Sequence, residues 1–361
     1  MRAGATSGGE AATAFRESAF RRLPLACMGI AAAAGLVGGS RSTEVLGPLP
    51  WLVSLGLVGL PHGAADFAVS RRVCRGWSLA AVWVAYVLAM AAVAAAFAAA
   101  PGSTIVAFAA VSCWHFGTAH LDSSPPAAGR RMRTVAALAR GCAVLSMPFV
   151  AWPRATALAA SDLASLPLGH GMAADLLPPA AVRTAGVVLA VVAVTATAIE
   201  GLLTRRRPGG PHAWHALLVE LGTIAMLGWC TDALFSVGLY FLVWHAWRQM
   251  GPLAESLTGS APRSWRELGP ALVRVHVAAL PLLIPTWAAI GVVWWQWSSE
   301  HTIRDLTVVS IAAYLVVTPA HELLGDLLRS PAGRRTAAAS RRSPSGFVGR
   351  APAGRTGSCS T

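Results

Sequence analysis

The sequence predicts an all-α membrane protein, a polytopic transmembrane helix bundle of about eight to ten spans. Three observations carry this. Of the 361 residues, 55% are hydrophobic and 12% charged, whereas a soluble domain carries about 25% charged residues. One aqueous core cannot hide that much apolar surface without a polar shell. Several apolar runs, among them 77–99 and 183–203, reach the length of about 20 residues that crosses a bilayer as helix. Alanine and valine dominate these runs without strict alternation, so they read as helices and not as barrel strands.

The elements follow in chain order. Residues 1–21 mix acidic and basic side chains around no apolar core, which suits an N-terminal cytoplasmic segment and not a cleavable leader. Residues 22–325 form the multispan domain. Its candidate spans are 22–38, 47–62, 78–98, 102–120, 134–152, 182–203, 213–229, 232–249, 268–294 and 304–324, the first two being short. Basic residues fix an orientation. With Arg71, Arg72 and Arg75 inside, the turn at Pro101 falls outside and has no basic residue. Arg130, Arg131 and Arg133 are then inside, and segment 153–181 is outside with Arg154 alone. Arg205, Arg206 and Arg207 come inside, followed by Arg248, Arg263 and Arg266. Both termini are expected in the cytoplasm, in a multi-pass protein of the cell membrane. Residues 326–361 form a tail rich in Arg, Ser and Gly that cannot bury a core and is expected to be disordered. It suits either contact with anionic lipid or plain solvation.

The formal charge is +13. The arginines sit in short loops and in the tail, which argues for membrane orientation and against nucleic-acid binding. None of the 6 cysteines belongs to a CxxC, so neither a zinc ribbon nor a disulfide framework is expected.

Ionisable groups inside a membrane each need a reason. Of 10 histidines, several lie at the cytoplasmic ends of different spans: His62, His115, His120, His212, His215, His245 and His321. Neutral imidazoles converging at one depth could hold iron, zinc or copper, with carboxylates orienting them. Asp66, Asp122 and Glu220 are placed for that second role. Helix-end histidines also suit an interfacial role with no metal. His62 stands in Pro61-His62-Gly63-Ala64-Ala65-Asp66, where continuous helix would put His62 and Asp66 on one face. His115 stands in Trp114-His115-Phe116-Gly117, deeper in its apolar run than His120. His245 stands in Tyr240-Phe241-Leu242-Val243-Trp244-His245-Ala246-Trp247-Arg248, with Gln249 one turn on. Glu220 lies within an apolar span and needs a partner, either a ligand histidine or a neighbouring helix.

In this order and spacing, over much of residues 50–325, these segments resemble the Brp/Blh family of membrane β-carotene 15,15'-dioxygenases. The resemblance implies ferrous iron, Fe(II), held by four histidines from separate helices, and cleavage of the central 15,15' double bond of β-carotene by O2 into two retinal molecules. His62, His115 and His245 match three ligand positions and are the implied catalytic residues. The fourth is expected one helical turn after His245, where this chain has Gln249. Three arrangements are open: three histidines with Gln249 or water, a replacement by His321 or His120, or a divergent member without the activity. Thr318-Pro319-Ala320-His321 resembles a proline–histidine segment of the family with one alanine inserted. The implied partners are β-carotene or a related carotenoid, O2, membrane lipid and a rhodopsin-type apoprotein receiving retinal. Competing readings are a non-catalytic carotenoid- or retinal-binding regulator, a membrane di-iron hydroxylase and a transporter. The di-iron reading is poorly supplied, with one HxxH at His212-Ala213-Trp214-His215, and no inverted repeat marks a transporter.

Overall fold

The computed structural model describes residues 4–74, 77–122, 129–169, 176–205 and 209–329. Arg75, Arg206, Arg207 and the tail from residue 330, and the side chains of Asp122 and Arg130, all named above, lie outside these residues. The described residues are helical, with no β-sheet. Eleven helices can be named. They are α1 (4–38), α2 (40–73, broken), α3 (Trp77–Ala99), α4 (Pro101–Asp122), α5 (Arg130–Ala151), α6 (Pro153–Leu168), α7 (Pro179–Thr204), α8 (Gly210–Cys230), α9 (233–258), α10 (Trp265–Trp297) and α11 (Ile303–Arg329).

Nine helices among the described residues are long and apolar enough to cross a membrane: all except α6 and α9. The protein is therefore a polytopic membrane bundle. Helix α3 shows what lipid does to the pattern. Only 6% of its most apolar stretch is buried inside the protein, and Val84, Val87 and Leu88 face outward. Such a surface is stable only against hydrocarbon. Helix α9 spans about 39 Å at 1.5 Å per residue, enough to cross, but it carries Arg248, Gln249 and Glu255. It is threaded through the middle of the bundle, where Tyr240, Trp244 and Met250 are almost wholly buried.

Two sequence expectations change. The first span, read as 22–38, belongs to a helix that starts at Gly4 and passes through a π-helical turn at Ser18–Arg22. The segment 153–181, read as an outside loop, contains α6. Ser161 and Asp162 break its apolar run, but Ala157, Ala160 and Ala164 recur at helical spacing and are buried. Ala160 and Ala164, together with Leu163, pack on Phe97, Ile105, Val308 and Leu315.

The helix ends follow local chemistry. Asp232 caps α9 by accepting from the Leu234 and Phe235 amides at 2.9 and 3.4 Å. Ser264 caps α10 through the Glu267 amide, while Glu267 reaches back to the Arg263 amide at 2.8 Å. Polar pairs tie helices inside the bundle. Arg140 on α5 makes a forked pair with Glu200 on α7 at 2.6 and 2.9 Å. Helices α4 and α5 touch backbone to backbone: a Cβ on Gly141 would run into the Cys113 carbonyl, and one on Gly117 into Ala137. Close approach through small residues is how membrane helices pack, and it fixes the turn of α4 that carries His115.

Candidate metal centre

Two of the four helices that supply the centre are distorted where they matter. In α2 the turn Ser54–Val58 is π-helical and leads directly into Gly59–Ala64, which carries His62. In α9 the segment Tyr240–Ala246 is π-helical and contains His245 itself. Such bulges re-aim the side chains that follow and recur at functional sites.

His62 (α2), His115 (α4), His245 (α9) and His321 (α11) meet in the bundle. Ring centres are 4.6 Å apart for His115–His245, 5.4 Å for His62–His245, 5.5 Å for His62–His321 and 5.4 Å for His115–His321. The Nε2 atoms of His115 and His245 are 3.1 Å apart. Among the described residues, no group of three or more His, Cys, Asp or Glu side chains forms a finished metal-holding set. What is assembled is a closed ring of four imidazoles, each with its centre within 5.5 Å of two others.

Three of the rings have an oxygen acceptor at Nδ1. His62 Nδ1 donates to the Val58 carbonyl at 3.2 Å, His115 Nδ1 to Glu322 Oε2 at 2.7 Å and His321 Nδ1 to Asp66 Oδ2 at 2.6 Å. A neutral imidazole has one N–H, so donation from Nδ1 places the lone pair on Nε2. Glu322 is held in turn by Thr118, whose hydroxyl donates to Oε1 at 3.2 Å.

The remaining sequence candidates divide. Gln249 lines the same cavity as the four histidines, and its amide nitrogen donates to the Ala119 carbonyl at 3.2 Å. His120 stands apart from the four. Its Nδ1 accepts from Trp244 Nε1 at 3.2 Å and its Nε2 donates to Glu220 Oε2 at 2.9 Å. Glu220 thus serves His120 and also accepts from Arg21 Nε at 2.5 Å, a partner from α1. Asp66 meets His321 instead of His62, because the helix breaks at Ala65 before reaching Asp66. Glu322 was missed. Its position beside His321 was visible, but residues i and i+1 point about 100° apart on a helix, and no spacing rule links Glu322 to His115. His212 and His215 are exposed, in the first turns of α8.

One side of the cluster is closed by aromatics. Phe241 stacks on His245 at 5.5 Å and Phe116 meets that ring edge-on at 5.1 Å. Tyr314 lies behind Phe241 at 4.8 Å. The other side opens into a cavity of about 260 Å³ whose wall includes Val69, Thr118, Leu253 and Ser256. Arg72 ties α2 to the end of α9 by donating to the Ser256 carbonyl and, at 2.9 Å, to the Leu257 carbonyl.

Comparison with known proteins adds the following. The family described as Beta-carotene 15,15'-dioxygenase matches residues 53–329, a stretch that contains all four histidines. A protein of Halobacterium salinarum named probable beta-carotene 15,15'-dioxygenase Blh is 32% identical over 290 residues, covering 74% of this chain and 79% of that protein. No solved structure matches the chain.

Proposed function

The chain belongs to the β-carotene 15,15'-dioxygenase family, and from that membership we propose that it is a membrane-embedded Fe(II) enzyme that uses O2 to split the central 15,15' double bond of β-carotene into two retinal molecules. The observation that carries the proposal is the meeting of His62, His115, His245 and His321 from four helices, three of them with Nδ1 committed to an oxygen acceptor. Imidazole sets of this kind suit first-row metals, and outer partners that fix the tautomer are their usual companions. Two imidazole nitrogens each about 2.0–2.1 Å from one divalent ion lie about 2.9–3.4 Å apart between right-angle and tetrahedral geometry. The 3.1 Å separation of the His115 and His245 Nε2 atoms is within that span. That separation is compatible with His115 and His245 sharing one ion, and we assign His62 and His321 as its further ligands, with Gln249 at the cavity wall.

Ferrous iron, when bound, supplies the redox chemistry with O2 that these side chains lack and that zinc cannot provide. The protein's own residues do the rest. Glu322, Asp66 and the Val58 carbonyl keep the ring protons on Nδ1. Phe116, Phe241 and Tyr314 exclude water from one side of the cluster, which strengthens every polar interaction there. The cavity of about 260 Å³ is smaller than the roughly 300–1,000 Å³ of pockets that enclose whole ligands. It admits a segment of a long polyene, which is what selection of a central bond requires, while the ends stay in hydrocarbon. Binding then acts by placing one double bond at the histidines. The same reading puts both termini in the cytoplasm of a cell-membrane protein and makes retinal available to a rhodopsin-type apoprotein.

The test is retinal formation, followed by chromatography, in membranes supplied with β-carotene, Fe(II) and O2. Retinal is expected from the native chain and is expected to vanish in His245→Ala at equal protein level. Undiminished retinal in His245→Ala would overturn the proposed centre. Iron-loaded protein that yields no retinal would move the substrate to another carotenoid.

A further inference from the structure

We infer that His276 and Trp287 on α10 are positioning residues for His62, acting by holding two backbone carbonyls that the π turn and Pro61 of α2 leave without α-helical donors. The inference rests on the reading of His62 as an iron ligand. It starts from the backbone of residues 54–62. Gly59 donates its amide to the Ser54 carbonyl, five residues back, so Leu55 loses the donor an α-helix would give it. Pro61 has no amide hydrogen, so Leu57, four residues before it, loses its donor too. Open carbonyls facing hydrocarbon are strongly unfavourable.

These are the two carbonyls that α10 reaches. Trp287 Nε1 donates to the Leu55 carbonyl at 3.1 Å, and His276 Nε2 lies 2.8 Å from the Leu57 carbonyl. His276 Nδ1 is also 2.8 Å from the Leu272 carbonyl. A neutral ring has one proton. Leu272 already has the amide one helical turn ahead as its donor, so the proton stabilises most on Nε2, toward Leu57. The next carbonyl along the chain, Val58, accepts from His62 Nδ1. The strip 55–58 thus presents carbonyls to three side-chain donors. Two are anchored on a neighbouring helix, and the third is the candidate ligand.

The strip has no room to move the other way. A Cβ on Gly59 would press on Ser54 Oγ, Phe241 and Tyr314. The segment is wedged between these groups and the α10 donors, and the Val58 carbonyl that orients His62 is set by both. This also explains a histidine on α10 beside an apolar groove lined by Leu23, Val53, Leu242 and Leu272, where an ionisable side chain otherwise has no reason to be.

The experiment uses detergent-purified full-length protein with Co(II) as the probe, reading both its dissociation constant and its visible absorption spectrum. His276→Leu is expected to weaken Co(II) binding about tenfold, the lower end of the range for groups that orient metal ligands, and to change the spectrum of the saturated site. His276→Gln, whose amide N–H can reach the place of Nε2, is expected to restore both. Trp287→Phe is expected to move both readouts in the same direction by less. Native affinity and spectrum in His276→Leu, or a Gln variant as impaired as the Leu variant, would overturn the inference. Should His276→Leu fail to accumulate, native behaviour of Trp287→Phe would overturn it. Native protein that takes up no Co(II) overturns the iron-site reading and the inference together. Native binding beside an indifferent His276→Leu overturns the inference alone.

Discussion

Glu322→Gln puts a magnitude on the carboxylate that orients His115. The wild-type carboxylate accepts from His115 Nδ1 at 2.7 Å and from Thr118 at 3.2 Å, with side-chain exposures of 8% for His115 and 12% for Glu322. Glutamine can keep both contacts in one orientation. Its oxygen faces His115 and its NH2 faces the Thr118 hydroxyl, which can also accept. The opposite orientation aims NH2 at Nδ1, forces the ring proton onto Nε2 and blocks the proposed ligand atom. The first orientation should prevail, so the loss is that of charge assistance alone. Hydrogen bonds to charged groups contribute about 1.5–3 kcal/mol net against about 0.5–1.5 kcal/mol for neutral ones. A difference of about 1.4 kcal/mol corresponds to about tenfold in affinity. Equilibrium dialysis against Fe(II) or Co(II) under anaerobic conditions should therefore show binding about tenfold weaker than wild type. Retinal formation should return toward the wild-type level when iron is raised in proportion. An unchanged metal affinity would refute the role given to Glu322.

Two further outcomes follow from the geometry. His321→Ala is expected to abolish metal retention. Gln249→Ala should keep it and lose only the bond to Ala119, about 0.5–1.5 kcal/mol of stability. Metal analysis of the two purified proteins distinguishes them, and the reverse order would return the fourth position to Gln249. Glu220→Ala leaves buried His120 without its acceptor and separates Arg21 from α8. A cost of about 3 kcal/mol is expected, measured as a lower unfolding midpoint in detergent with metal content per folded molecule unchanged.

The bundle was legible because lipid imposes a simple composition rule, and α3 obeys it almost along its whole length. Helix α6 was not, because Ser161 and Asp162 interrupt an apolar pattern that only tertiary packing completes. At the site, the motifs around His62, His115 and His245 singled out side chains that do meet. His321 was one candidate among several, and sequence gave no means of choosing it over His120. The choice depends on partners far away in the chain. His120 meets Glu220 and Trp244, while His321 meets Asp66, 255 positions distant. Asp66 was assigned to His62 by helical spacing, and the break at Ala65 defeats that rule. The π turns leave no compositional mark, although Pro61 does announce one carbonyl in need of a donor.

The π turn of α2 also has a consequence for chain length. A wider turn holds one residue more than the α-turn it replaces, and each residue advances an α-helix by about 100°. Removing any one residue from 54–58 would let the helix close to regular pitch at little local cost. Because the π turn has absorbed that extra residue, everything beyond it, His62 included, would keep roughly its present bearing about the axis, whereas the same deletion from an α-helical stretch would swing it by about 100°. What the deletion would remove is the opening in the backbone: at regular pitch the strip no longer offers the open Leu55 carbonyl to Trp287. The residue count between Trp51 and His62 therefore acts on the site through its backbone acceptors, and a one-residue deletion within 54–58 should be less damaging than one in the regular helix on either side of it.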